Sequence, residues 1–235
     1  MSEFSTLPRH VAVIMDGNRR WARQHKLQIA LGHRTGVETL RAIIRESSDL
    51  KIGALTLFAF STENWSRAPS EVSALMQLLL EFFSSEIDEL DENQVCIRIL
   101  GVKDALPEAQ RAALTAAETR TRFNSGLKLN IAINYGSRDE LVRAVRSISS
   151  EVRDGKLAPG DITEKTLSDH LDTAGIDDVD LLIRTSGEMR LSNFLLYQCA
   201  YAEFVFTPVL WPDFDLQCYH DALHEYERRQ RRYGG

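Results

Sequence analysis

Cysteine is scarce and scattered. The three residues Cys96, Cys199 and Cys218 stand far apart, with no CxxC spacing. That excludes a disulfide framework or a cysteine zinc site and suits a reducing compartment. No run of 18 apolar residues occurs, so no membrane-spanning helix is expected. The N-terminal MSEFSTLPRH lacks the apolar core of a signal peptide, and a cytoplasmic location is the expectation. Positive charge is not in excess: 28 Lys and Arg face 34 Asp and Glu, a net charge of −6. Bulk electrostatics therefore do not favour nucleic acid or an anionic membrane. The GxxxxGK[ST], GxGxxG, HExxH and GxSxG patterns are all missing, which removes the common nucleotide, zinc-protease and hydrolase readings.

What the chain does hold is an ordinary soluble mixture, 43% apolar and 26% charged over 235 residues, enough for one well-filled core. Its organising stretch is HVAVIMDGNRRWA, residues 10–22. Val11 to Met15 form a short apolar run that suits a strand buried on both faces. Asp16 ends it, Gly17 and Asn18 turn the chain, and a helix starts at about Arg19. Ligands of open α/β sheets bind outside the carboxyl ends of strands, and helix N-termini attract anions. The expectation is a phosphate site with a carboxylate beside it. Such a carboxylate needs a divalent cation between itself and the phosphates, and Mg²⁺ binds in that way. The bland alternative is an aspartate that merely caps a helix.

Strand and helix patterns then alternate to the end. Strands are expected at 54–60, 95–100, 127–134, 179–183 and 204–209, and helices around 37–44, 71–90, 104–121, 138–153, 163–173, 192–201 and 215–231. This predicts a single α/β domain over 1–235, a mostly parallel six-stranded sheet flanked by helices, with 1–8 as a flexible tail. The 71–90 helix carries Leu75, Met76, Leu78, Leu79, Phe82 and Phe83, an apolar surface wider than one core-facing stripe. Core packing and the wall of a hydrocarbon tunnel both fit it.

Polar clusters close three strands: Asp16 to Arg20, Ser61 to Arg67, and Arg184 to Ser192. Neighbouring parallel strands would bring them to one rim. Arginine donates bidentately to phosphate, so two arginine-bearing clusters suggest two anionic groups.

At these residues the chain resembles the cis-prenyltransferases, the family of undecaprenyl diphosphate synthase. The matching runs are HVAVIMDGNRRWA, GHRTGVETL, ALTLFAFSTENWSR, LNIAINYG, DLLIRTSGEMRLSNFLLYQCAYAEF, VLWPDFD and RRYGG, from about residue 9 onward. The DDxxD pattern of trans-type synthases is absent, since residues 177–180 read Asp-Asp-Val-Asp. The resemblance implies Mg²⁺-dependent condensation of isopentenyl diphosphate with an allylic diphosphate such as farnesyl or geranyl diphosphate. It implies that Asp16 holds the metal, and that Gly17, Asn18, Arg19 and Arg20 surround the allylic diphosphate with Trp21 and His33 beside them. It matches Ser61, Thr62, Glu63, Asn64, Trp65 and Arg67 to a mobile loop whose Asn64 lies near the departing proton, with Glu71 just beyond. Arg184, Arg190 and Ser192 fall to the isopentenyl diphosphate site and Glu203 to the metal there. Arg232 and Gly234 match an element that reaches a partner subunit, so a homodimer is implied. Membrane contact is expected only peripherally, through the lipid product.

Departures stand beside these matches. Arg19 occupies a usual glycine, Ile29 a usual arginine, Met189 a frequent histidine, and Val102 and Ser137 a frequent aspartate and glycine. One cation is lost at 29 and one gained at 19. Shifted chemistry (a short product, irregular coupling, cyclisation or another acceptor) and a non-catalytic partner subunit are the alternatives. A scaffold has no need of Asp16, Asn64, Arg184, Arg190, Ser192 and Glu203.

Overall fold

The computed structural model describes residues 4–229. Its centre is β1 (His10–Ile14), buried along its whole length. Beside it lie β2 (Ala54–Ser61) and β5 (Leu181–Arg184), both parallel to it. With β3 (Cys96–Leu100), β4 (Lys128–Tyr135) and β6 (Glu203–Phe206) they form one six-stranded sheet of order β3-β4-β2-β1-β5-β6, every pairing parallel. Parallel neighbours need crossovers, and helices supply them.

Alternation along the strands divides the core. Val11, Val13, Leu55, Leu57, Leu181 and Ile183 face one layer, and Ala12, Ile14 and Leu182 face the other with Tyr135 and Phe194. The first layer contains α2 (Ile29–Asp49), α3 (Pro69–Glu92), α4 (Glu108–Thr121) and α7 (Leu216–Arg228). Helix α1 (Asn18–Gln24) packs on α2 at the carboxyl rim. Helix α5 (Ser137–Arg153) starts at that rim behind β4, and the short α6 (Glu164–Ser168) packs against it.

Two expected helices are cut back. Thr163 caps α6, which ends at Ser168 rather than 173. Residues 192–201 form turns, with Ser192, Asn193 and Leu195 at φ of 51°, 63° and 44°. Left-handed backbone cannot continue a right-handed helix. The segment spends its hydrogen bonds elsewhere: the Asn193 carbonyl accepts from Ser137 N at 2.8 Å, and Leu196 N donates to Ser137 Oγ at 3.0 Å. The expected N-terminal tail also has partners from residue 4 on. Phe4 is buried against His220 and His224, and Ser5 N donates to Glu227 at 2.7 Å. Arg232 and Gly234 lie outside the described residues.

His10 sits wholly buried at the opposite rim, with Nε2 2.7 Å from Thr56 Oγ1 and Nδ1 2.7 Å from the Asp177 carbonyl. Burial lowers its pKa from 6.5, outweighing the acceptors that raise it. The folded chain thus prefers neutral His10, whereas the unfolded chain takes a proton near pH 6.5. Its contribution is present above that pH and is lost as pH falls toward the depressed folded value. Tm should therefore drop between pH 7.5 and 5.5, and more steeply in wild type than in His10→Asn. Equal slopes in thermal scans would rule out the role given to His10.

Candidate active site at the carboxyl rim of the sheet

Because β2, β1 and β5 are adjacent, their three polar ends meet. Asp16 follows β1, Ser61 ends β2 and Arg184 ends β5. Arg184 Nη2 donates to Asp16 Oδ2 at 2.9 Å, and its Nη1 donates to Ser192 Oγ at 2.8 Å and to the Arg190 carbonyl. Arg20 reaches Asp16 Oδ1 at 3.6 Å and donates to the Ser186 carbonyl at 2.9 Å. Thr185 Oγ1 fixes the Asp16 backbone, accepting from its N at 2.9 Å and donating to its O at 2.6 Å. Burial opposes ionisation of Asp16, but hydrogen bonding and charge from Arg184, with Ser186 and Arg20, outweigh it and hold the carboxyl below its usual 3.8. Gly17 follows at φ 116°, and a Cβ there would lie 3.0 Å from the Leu210 Cα. Only glycine makes that turn easily.

A second cluster closes the same mouth. Glu71, with only 8% of its side chain exposed, lies 3.0 Å from Arg67, 3.4 Å from His33 and 3.7 Å from Arg19. Burial lowers the pKa of His33 more than Glu71 raises it, so the imidazole is neutral near pH 7. In the adjoining turn Thr62–Ser66, the Asn64 side chain accepts from Ser61 N at 3.1 Å.

Between these groups opens a cavity of about 900 Å³. Its mouth is lined by Asp16 to Arg20, Arg23, His33, Ser61, Glu63, Asn64, Arg67, Arg184 and Ser192. Its depth is lined by Val37, Phe60, Leu75, Leu78, Leu79 and Phe82. The wide apolar surface of α3 is therefore shared. Phe83 is buried in the core, Phe82 is buried yet borders the cavity, and half-buried Leu75, Leu78 and Leu79 face it. Asn18 Oδ1 and Arg184 Nε, both on cavity-lining residues, are buried without hydrogen-bond partners. An unpaired buried polar atom costs about 1–3 kcal/mol, so these two are polar capacity left unused beside the cavity.

Other expected residues lie elsewhere. Trp21 stacks on His25 and donates to Asp213 at 2.7 Å, away from the cavity. Trp65 donates to Asn134 at 2.8 Å, and Thr62 borders Glu63 outside the lining. Arg190 turns outward, 59% exposed, onto Glu188. Glu203 opens β6, where it pairs in register with Leu181, whereas Arg184 pairs with Phe206. Three strand residues separate the two levels by roughly 10 Å. Glu203 instead accepts from Arg229 at 3.0 Å. A metal set joining Asp16 and Glu203 is thus not formed within one chain. Among the described residues no three His, Cys, Asp or Glu side chains are grouped to hold a metal by themselves. Asp16 alone, an ionised hard oxygen donor at the mouth, still fits Mg²⁺ brought with a diphosphate, because that ion commonly takes one or two carboxylates and completes its shell with phosphate oxygens and water.

Thr185, Ser186, Asn193 and Trp211 carry parts of the site without having been assigned a role in the sequence. Thr185 and Ser186 had a visible signal in their place beside Arg184 at a strand end. Asn193 and Trp211 lie inside the matched runs DLLIRTSGEMRLSNFLLYQCAYAEF and VLWPDFD, but they act through partners far along the chain and no local pattern gave their roles.

Comparison with known proteins bears on the family and the fold. The family described as putative undecaprenyl diphosphate synthase matches residues 14–234. An isoprenyl transferase of Brucella abortus is 53% identical over 228 residues, covering 97% of this chain and 90% of that protein. One from Clostridium perfringens is 47% identical over 229 residues, with the same coverage of 97% and 90%. Among solved structures, lavandulyl diphosphate synthase from Lavandula x intermedia, in complex with dimethylallyl diphosphate, has a TM-score of 0.95 at 40% identity, covering 97% of this chain and 99% of that one. A probable undecaprenyl diphosphate synthase from Campylobacter jejuni has a TM-score of 0.80 at 34% identity over the full length of both chains.

Proposed function

The chain belongs to the undecaprenyl diphosphate synthase family of prenyltransferases, and from that premise we propose that it condenses isopentenyl diphosphate with an allylic diphosphate, in a Mg²⁺-dependent reaction that leaves the new double bond cis. The observation that carries the proposal is one cavity that joins an arginine-and-aspartate mouth to an apolar depth. Arg19 and Arg20 in the first turn of α1, with Arg23 in its last, line the mouth that would take an allylic diphosphate. Arg184, braced by Ser192, faces the second diphosphate. Mg²⁺ held by Asp16 would neutralise charge on the diphosphates. Charge develops on the leaving diphosphate as the allylic C–O bond breaks, and arginines already fixed in place stabilise it without reorganisation. The alkene of isopentenyl diphosphate then attacks C1, and Asn64 stands at the mouth beside the carbon that loses its proton. Leu75, Leu78, Leu79 and Phe82 take the hydrocarbon and exclude water from the cationic carbon. The working form proposed is a homodimer.

The test incubates the protein with radiolabelled isopentenyl diphosphate, farnesyl diphosphate and Mg²⁺. A ladder of products that vanishes on chelation supports the reading, and the absence of any prenyl product overturns it. A second reading has one observation in its favour, the 0.95 TM-score to lavandulyl diphosphate synthase. It predicts a single irregular product when dimethylallyl diphosphate is supplied alone.

Arg19 is proposed to replace the cation missing at 29. It lines the mouth, whereas Ile29, half-buried at the start of α2, does not. Arg19→Gly should raise the KM for the allylic substrate about tenfold, ~1.4 kcal/mol, with kcat little changed. A control Tm accounts for the ~1 kcal/mol that glycine costs a helix. An unchanged KM would refute the exchange.

A further inference from the structure

Asn193 is the point where three parts of the site are tied together. It follows Ser192, the hydroxyl that braces Arg184. Its carbonyl accepts from Ser137 N at 2.8 Å and its Oδ1 accepts from Arg138 N at 2.9 Å, so it satisfies two first-turn amides of α5. The residue in the N-cap position of that helix, Gly136, has no side chain to do so. It has no room for one either, since a Cβ there would lie 2.8 Å from Asn193 Nδ2 and 2.9 Å from Thr62 Oγ1. The remaining arm of Asn193 crosses the mouth, where Nδ2 donates to Glu63 Oε1 at 3.2 Å. Glu63 belongs to the Thr62–Ser66 turn, immediately before Asn64. The backbone accepts strain for this arrangement, with left-handed φ at 192, 193 and 195 although Leu195 is fully buried. Such conformations cost roughly 1–3 kcal/mol each and persist where their surroundings over-determine them.

We propose that Asn193 is a positioning residue. Through Glu63 it latches the Asn64 turn to the Ser192–Arg184 end of the site, so that the proton-losing carbon and the second diphosphate are held in one register. The inference rests on the condensation proposed above for its kinetic part. Misplacement of reacting groups by about an ångström can cost on the order of a hundredfold, which sets the scale expected of a broken latch.

The capping oxygen and the latching N–H are different atoms, and that makes the idea testable. Asn193→Asp keeps an oxygen for Arg138 N but sets a carboxylate against Glu63. Glu63→Ala breaks the latch without touching α5, and Glu63→Gln keeps an oxygen for the N–H. Asn193→Asp and Glu63→Ala should keep Tm within about 3 °C, lower kcat about 10–100-fold, and speed hydrogen exchange of the 62–66 amides at least tenfold. Glu63→Gln should keep those amides protected. In the double variant, the two losses should not multiply. Wild-type kcat and exchange in Asn193→Asp would overturn the proposal, as would losses that multiply in full. A wild-type protein that makes no prenyl product defeats the condensation instead, and hydrogen exchange still decides the latch.

Discussion

Asp16→Asn should lower kcat about 10²–10³-fold while the protein stays folded. The amide is nearly the same shape, and its oxygen still accepts from Arg184 Nη2, which donates to Asp16 Oδ2 at 2.9 Å. What disappears is the negative charge that would hold a cation against the diphosphates. The two substrates should respond differently. Arg184, with only 5% of its side chain exposed, loses its neutralising partner and becomes a freer anion site. The KM for isopentenyl diphosphate should thus stay level or fall while kcat collapses, a pattern that assigns the loss to the transition state. Because its arginines hold Asp16 below 3.8, it remains ionised through the whole working range, and the acid limb of the pH–rate profile belongs to another group. Steady-state kinetics with both substrates varied would measure this, and a kcat within threefold of wild type would remove Asp16 from the reaction.

The largest structural effect is expected at Trp211. Its ring is 1% exposed and stacks on Phe214, and its Nε1 donates to the Gly36 carbonyl at 2.8 Å. Gly36 is shaped to receive it, since a Cβ there would lie 2.8 Å from the indole Cδ1. The Trp211 backbone N donates to the Asp16 carbonyl at 3.0 Å, so residue 211 also anchors the turn that carries Asp16. Trp211→Ala should cost about 3–5 kcal/mol and lower Tm by roughly 6–20 °C. That is a large share of the ~5–15 kcal/mol by which folded domains exceed unfolded ones. Trp211→Phe keeps a ring but leaves the buried carbonyl without its donor, a loss of about 1–3 kcal/mol. Denaturant titration of both variants would show this order, and a loss under 1 kcal/mol in Trp211→Ala would contradict it.

Much of this was legible in the chain. Strand ends are local facts, because Val11 to Ile14 is an apolar run and Asp16-Gly17-Asn18 cannot continue it. That placed Asp16, Ser61 and Arg184 at strand ends, and parallel alternation placed those ends on one rim. The 192–201 segment shows where local reading fails. Its apolar spacing is helical, yet Ser137, more than 50 residues away, takes backbone groups that a helix would need, its N donating to the Asn193 carbonyl and its Oγ accepting from Leu196 N. Glu203 fails in another way, since the motif gives its identity but not the level on β6 at which it lies, and Arg229 claims it there.

By itself, then, the sequence determined the alternation of strands and helices, the rim where charge collects and the chemical character of that rim. Those properties follow from the order of apolar, turn-forming and charged residues along a short stretch. Only the tertiary structure decided that Asp16 pairs with Arg184, 168 residues distant, that Glu71 draws in His33, Arg67 and Arg19, how deep the apolar cavity runs, and that Asn193 bridges two ends of the mouth. Each of these depends on which remote segments the packed core brings within about 3–4 Å, a distance at which hydrogen bonds and ion pairs act and which no local pattern encodes.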